Sequence, residues 1–249
     1  MSDSFYISYK EKLVNGLVSV LIILFKQLNM YIGEILDHNY FDVNSSLTIE
    51  AALEKMNEIH IPQLVVRSKN DFLGIITEDD LLGADDEIKP LSSLAISFRF
   101  LYLYEYQHIY DALQYMSAQH LQLLPILNKE NQYVGSVTLQ KLTSSINNTL
   151  GNQNTGAIII LELGKNDVSF SHVAHIFESE NVRILSTAIR DIPDTTKIEM
   201  TIKVDKQNIS ALVASLWRFD YVVKATFNDG SQDNDIKERY DILMNYLNL

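Results

Sequence analysis

Thr77 and Asp80 stand three residues apart where the apolar run Phe72-Leu73-Gly74-Ile75-Ile76 gives way to the acidic stretch Glu78-Asp79-Asp80. Such a run closing on a threonine reads as a strand that hands over to a helix. At that junction the threonine hydroxyl and the free N–H groups of the first helical turn face outward together. The helix dipole adds about half a positive charge there, which suits a phosphate. A carboxylate at Asp80 can accept hydrogen bonds from two vicinal ribose hydroxyls. Gly74, lacking Cβ, lets a neighbouring backbone approach closely. The same Thr-x-x-Asp spacing is also a capping box, which contributes about 1 kcal/mol with no ligand involved. The residues alone leave both readings open, and one site can serve both.

Other groups offer less. Arg67 and Arg99 are candidate phosphate partners, or solvated surface residues. Glu78, Asp79, Asp80, Asp85, Asp86 and Glu87 have oxygens for Mg²⁺ or Ca²⁺, but their spacing fits no calcium loop and reads as a solvated acidic linker. His172 and His175 lie about a turn apart without a third ligand nearby, so no metal site is expected. The aromatics Phe98, Phe100, Tyr102, Tyr104, Tyr106 and Tyr110 lack interleaved basic residues and are expected between repeats or at a dimer face. Neither a Gly-x-Ser-x-Gly, nor a Walker loop, nor a His-Glu-x-x-His occurs, and the chain reads as non-catalytic.

The elements that must position Thr77 and Asp80 occur twice. Ala52-Leu53-Glu54-Lys55-Met56 recurs as Ala112-Leu113-Gln114-Tyr115-Met116, and Phe72 to Thr77 as Tyr133 to Thr138. In each copy an amphipathic helix (Ile49, Ala52, Leu53, Met56; then Ile109, Ala112, Leu113, Met116) precedes a short strand, Gln63 to Val66 or Leu124 to Leu127. A second strand and a helix follow. Lys141 stands where the first copy has Asp80. An ammonium donates and cannot accept, so the cleft at Thr138 and Lys141 is expected to be empty or altered.

Beyond a polar stretch, residues 156–229 read βαββαβ, the ferredoxin-like order. Its strands are Gly156 to Leu163, Val182 to Ile189, Lys197 to Val204 and Tyr221 to Phe227. Lys197 to Val204 alternates strictly, which predicts a buried face (Ile198, Met200, Ile202, Val204) and an exposed one (Lys197, Glu199, Thr201, Lys203). A closing helix over 235–249 places Ile236, Tyr240, Leu243, Met244 and Leu247 on one face.

The strand-turn-strand pattern Leu64-Val65-Val66 … Gly74-Ile75-Ile76-Thr77-Glu78-Asp79-Asp80 and its echo Leu124-Pro125-Ile126-Leu127 … Gly135-Ser136-Val137-Thr138 resemble the CBS domain family. Tandem CBS pairs (Bateman modules) bind adenosine-containing ligands. The resemblance implies an adenine nucleotide (AMP, ADP, ATP) or S-adenosylmethionine as regulatory ligand. It assigns the adenine slot to Asp42-Val43 and the Leu64-Val65 strand, with Gly74, Thr77 and Asp80 completing the site. Residues 156–229 are similar to ACT domains in topology. The loop Lys165-Asn166-Asp167-Val168-Ser169 lacks the glycine at which regulatory members take an amino acid, so dimerisation is an equal reading for this part. The layout resembles small stand-alone bacterial CBS-domain regulatory proteins and implies a homodimer with a further protein partner.

The expected organisation is therefore α+β. An apolar extension (1–29) precedes two CBS repeats (30–88 and 89–148), a linker (149–155), the ACT-like domain (156–229) and the closing helix. A net charge of -12 argues against nucleic-acid partners and anionic membranes, and the absence of cysteine excludes disulfides and thiolate sites. The apolar run within Leu13 to Phe25 is too short for a stable membrane span. Met30 precedes the first repeat, so residues 1–29 are read as an extension from an upstream start codon. A docked helix and a weak anchor are the alternatives. The expected location is cytoplasmic. A structural adaptor with vestigial clefts is the competing function.

Overall fold

The computed structural model describes residues 30–37, 41–69, 71–165 and 169–227. The apolar run ending at Phe25, the closing helix and loop residues 166–168 lie outside them. The chain divides into two compact units, Met1–Ser145 and Ile146–Leu249.

The first repeat contains β1 (Asp42–Asn44), α1 (Ile49–Ile59), β2 (Gln63–Ser68), β3 (Asp71–Thr77) and the five-residue α2 (Glu78–Leu82). The second contains β4 (Leu103–Tyr104), α3 (Ile109–Gln119), β5 (Leu123–Leu127), β6 (Tyr133–Thr138) and α4 (Leu139–Thr149). α4 ends at Thr149, the first residue of the expected linker. The two sheets have the same order, β1-β2-β3 and β4-β5-β6, with a parallel pair followed by an antiparallel one. Thr48 caps α1 by accepting from Ala51 N–H. His60 and His120 end α1 and α3 in the left-handed conformation, at φ 55° and 54°, and each donates its N–H to the carbonyl of Met56 or Met116. This common helix stop accounts for the recurrence of histidine at these positions.

Ile49, Ala52 and Met56 of α1 pack on Val43, Leu64, Val66 and Ile76. In α3 Ile109, Ala112 and Met116 are buried, but Leu113 is 38% exposed and falls outside the apolar face assigned to it. Between the repeats, Phe41, Val65 and Phe72 meet Leu123 and Leu127. The buried Gln63 amide links them too, its Oε1 accepting from Gln122 N–H at 2.8 Å and Leu123 N–H at 3.1 Å.

The segments leading into the repeats are exchanged. Residues 30–37 open the first repeat yet bond to the second. Ile32 and Gly33 N–H donate to the carbonyls of Gln107 and Glu105, and Asp37 N–H to Ser136. Residues 89–99 open the second repeat yet bond to the first. Leu91 and Ser92 N–H donate to Leu47 and Ser45, and Arg99 and Ile75 form reciprocal bonds of 2.9 and 2.8 Å.

The second unit has β7 (Ile158–Gly164), α5 (Phe170–Ser179), β8 (Ile184–Asp191), β9 (Lys197–Val204), α6 (Ser210–Arg218) and β10 (Val222–Phe227). Its sheet runs β10-β7-β9-β8, the ferredoxin-like arrangement of ACT domains, with all neighbours antiparallel. Ile159, Leu161, Ile198, Met200 and Ile202 pack beneath α5 and α6. The opposite side of β9 departs from the alternation rule, because Glu199 and Lys203 are only 4% and 8% exposed. Glu199 is gripped by Arg190 of the neighbouring β8 and by Lys224 of β10, which lies beyond β7, and Lys203 Nζ donates to the Gly156 carbonyl at 2.7 Å. Hydrogen bonds to Lys224 and Arg190 hold the Glu199 carboxyl below the usual carboxylate range.

Candidate functional site: two clefts of opposite charge pattern

Thr77 closes β3 and caps α2. Its Oγ1 donates to Asp80 Oδ2 at 2.5 Å, Asp80 Oδ2 also accepts from Thr77 N–H at 3.0 Å, and Thr77 Oγ1 accepts from Asp80 N–H at 3.3 Å. The capping box is therefore formed. With five residues, α2 is too short to carry a full dipole, and Glu78, Asp79 and Asp80 fill its first turn. Three carboxylates oppose a phosphate at this position. The nearby positive charge comes from Arg99, whose Nη2 lies 3.9 Å from Asp80 Oδ2. Its backbone is fixed against β3 beside Gly74, where φ is +145° and a Cβ would lie 2.9 Å from the Arg99 carbonyl oxygen. Gly74 is thus required by the approach of a backbone rather than of a ligand.

Val43 and Leu64 are buried beneath α1, and Val65 lies in the inter-repeat cluster. The Asp42 carboxylate pairs with Arg67, whose guanidinium sits 5.2 Å from the centre of the Tyr133 ring. Arg67 is thereby committed to an ion pair. Tyr133 bonds Ser136 at 2.8 Å, and burial pushes its phenol up to about 12. In register, Asp42 faces Val65, whereas Thr77 faces Gln63, two residues along β2. The structure thus brings Thr77, Asp80 and Arg99 together and pairs Asp42 with Arg67 of the same repeat.

The cleft at Thr138 is the counterpart. A cavity of about 700 Å³ is lined by Asp37, Phe41, Lys55, His60, Gln122 and Thr138. First-repeat residues therefore complete the second repeat's cleft, which follows from the exchanged lead-in segments. Thr138 Oγ1 accepts from Lys141 N–H at 3.2 Å, and Lys141 is exposed. Asp37 occupies the position of Arg99, because Asp37 bridges Ser136 as Arg99 bridges Ile75. Sequence reasoning missed Asp37, Phe41, Lys55 and His60. Their one sequence signal is their offset from the repeat partners Arg99, Tyr102, Tyr115 and His120.

The aromatic residues form a ladder, Phe72–Phe100–Tyr102–Tyr104–Tyr106, with neighbouring centroids 5.2–5.4 Å apart. Tyr102 and Tyr104 pack against the inter-repeat cluster, while Phe100 and Tyr106 are exposed. His172 Nδ1 bonds the Tyr221 hydroxyl at 2.8 Å. Among the described residues no group of three His, Asp or Glu is placed to hold a metal ion, and no helix is long and apolar enough to cross a membrane.

With this geometry in view, residues 32–87 and 93–148 each match the CBS domain family. The chain carries two CBS domains in tandem, followed by a domain of ferredoxin-like topology. Similar solved structures include a CBS domain pair/ACT domain protein from Thermotoga maritima, at 19% identity and TM-score 0.44, covering 49% of this chain and 99% of that one. CBSX2 in complex with AMP is 18% identical at TM-score 0.41, covering 47% and 95%. The cytosolic domain of the Mg²⁺ channel MgtE in complex with ATP is 18% identical at TM-score 0.40, and the match spans 47% of this chain and 49% of that chain. No curated protein sequence matches this chain.

Proposed function

We propose that the chain is a non-catalytic regulatory sensor that binds one adenosine-containing ligand in the first-repeat cleft. The carrying observation is the meeting of Thr77, Asp80 and Arg99 at the end of β3, in a segment that matches the CBS family. Asp80 supplies the ribose acceptor. Arg99, held by its backbone, supplies the charge a phosphate needs in a cleft whose other charges are acidic. Asp42, Val43, Leu64, Val65 and Gly74 act behind this site as framework. The chain works in the cytoplasm as a homodimer with a protein partner, with 30–88 and 89–148 as repeats, 149–155 as linker and 156–229 as the ACT-like part.

The competing reading is a structural adaptor. It is favoured by the fully formed capping box, which satisfies Thr77 and Asp80 without any ligand. Thermal unfolding with AMP, ADP, ATP and S-adenosylmethionine separates the two. A ligand at 100 times its Kd adds about 2.7 kcal/mol of stability. Calorimetry should then give one site per chain. No stabilisation by any of the four would leave the adaptor.

A further inference from the structure

The walls of the second repeat's cleft map, through the internal repeat, onto those of the first. Glu78 N–H donates to the Pro62 carbonyl at 3.0 Å, as Leu139 N–H donates to that of Gln122 at 2.9 Å. Arg99 bridges Ile75 as Asp37 bridges Ser136, and α1 and α3 end alike at His60 and His120. The two clefts share a frame, so a lining side chain of one has a counterpart in the other.

The counterparts differ in charge. Leu139 and Gln140, which line the second cleft, correspond to Glu78 and Asp79, and Lys141 corresponds to Asp80. The lining Lys55 corresponds to Tyr115, a half-buried phenol. Burial, and after it the nearby Tyr102, raise Tyr115 above the ordinary phenol value, so it brings no charge at neutral pH. Among the described residues, the counterparts of the second cleft's lining include no lysine, and no arginine besides Arg99. Arg67, on the neighbouring β2, is held by Asp42. Arg99 is thus a guanidinium set against Glu78, Asp79 and Asp80, of which Glu78 and Asp80 are half-buried. A first phosphoryl group on a ligand can meet Arg99. Each further group adds a negative charge that meets carboxylates instead, a repulsion that weakens binding roughly tenfold per group at a partly exposed site.

We propose, resting on the reading of the first-repeat cleft as an adenosine site, that this cleft selects a nucleoside monophosphate and rejects the corresponding di- and triphosphate. Arg99 takes the single phosphoryl group, and Glu78 and Asp79 turn away a longer chain.

Calorimetry on the full chain with adenosine, AMP, ADP and ATP, in EDTA at low salt, tests this. AMP should bind about tenfold tighter than ADP, and ADP about tenfold tighter than ATP. Adenosine, with no phosphate for Arg99, should bind more weakly than AMP. Raising the salt to about 0.5 M should narrow the gap between AMP and ATP, because partly exposed charges are screened. Glu78→Gln with Asp79→Asn should raise ATP affinity more than AMP affinity, and both positions lie outside the Thr77–Asp80 capping box. Adenosine or ATP binding as tightly as AMP, or a gap unmoved by salt or by the double variant, would overturn the selectivity while leaving an adenosine site in place. No binding by any of the four would overturn the site itself, and the selectivity with it.

Discussion

At the end of β3 the first repeat sets a carboxylate, Asp80, on its helix and a guanidinium, Arg99, on the segment bridged to Ile75. At the end of β6 the second repeat sets an ammonium, Lys141, on the helix and a carboxylate, Asp37, on the segment bridged to Ser136. The backbone is the same and the sign is reversed at both positions. One cleft can accept hydroxyl protons on its helix side, whereas the other can only donate there. Equal backbones therefore do not make equal sites, and the duplicated fold leaves each cleft free to differ in chemistry.

The largest expected effect tests the shared backbone. Both glycines hold a φ that side chains rarely adopt, but Gly74→Ala places a Cβ 2.9 Å from the Arg99 carbonyl oxygen, whereas a Cβ at Gly135 meets Leu36 no closer than 3.4 Å. Chemical denaturation should show a loss of about 3 kcal/mol for Gly74→Ala and about 1–2 kcal/mol for Gly135→Ala. Equal losses would break the contrast.

Tyr133 and Phe72 occupy equivalent positions, and only Tyr133 titrates. Its folded value of about 12 exceeds the unfolded value of about 10, so the unfolded chain ionises first. The stabilisation is fully present below pH 10 and is lost as pH rises to about 12, a change of roughly 2–3 kcal/mol. Stability profiles of Tyr133→Phe and wild type should diverge only in that window. Parallel profiles would remove this buried phenol from the comparison.

The ligand predictions are smaller. Asp80→Ala should weaken AMP binding at least tenfold, since a lost charge-assisted hydrogen bond is worth about 1.5–3 kcal/mol. Unchanged affinity in calorimetry on a folded variant would end the ribose assignment. Lys141→Asp should leave stability within about 0.5 kcal/mol and raise stoichiometry from one site towards two. Two equivalent sites already present in the wild type would mean that the reversed charges do not matter.

Much of this was legible in the sequence, for identifiable reasons. Paired apolar helices, a recurring Gly-x-x-Thr and the alternation of Ile198, Met200, Ile202 and Val204 are side-chain patterns, and side chains are what a sequence displays. The exchange of residues 30–37 and 89–99 is made by backbone bonds, such as Ile32 to Gln107, which carry no residue signature. The resemblance groups Asp42 with Thr77, whereas in the structure the Asp42 carboxylate pairs with Arg67. Glu199 and Lys203 misled in another way. Alternation places them on the outward side of the strand but says nothing of Arg190, Lys224 or the Gly156 carbonyl, which reach them there.

The exchanged lead-in segments bear on how the first unit comes apart. Bonds such as Gly33 to Glu105 and Asp37 to Ser136 close loops of many tens of residues, so neither repeat completes its strand edges until the other has folded. Peeling one repeat away would strip hydrogen bonds from both. Native-state hydrogen exchange should then show amides of β3 and β6 opening with a single free energy, as one foldon rather than two.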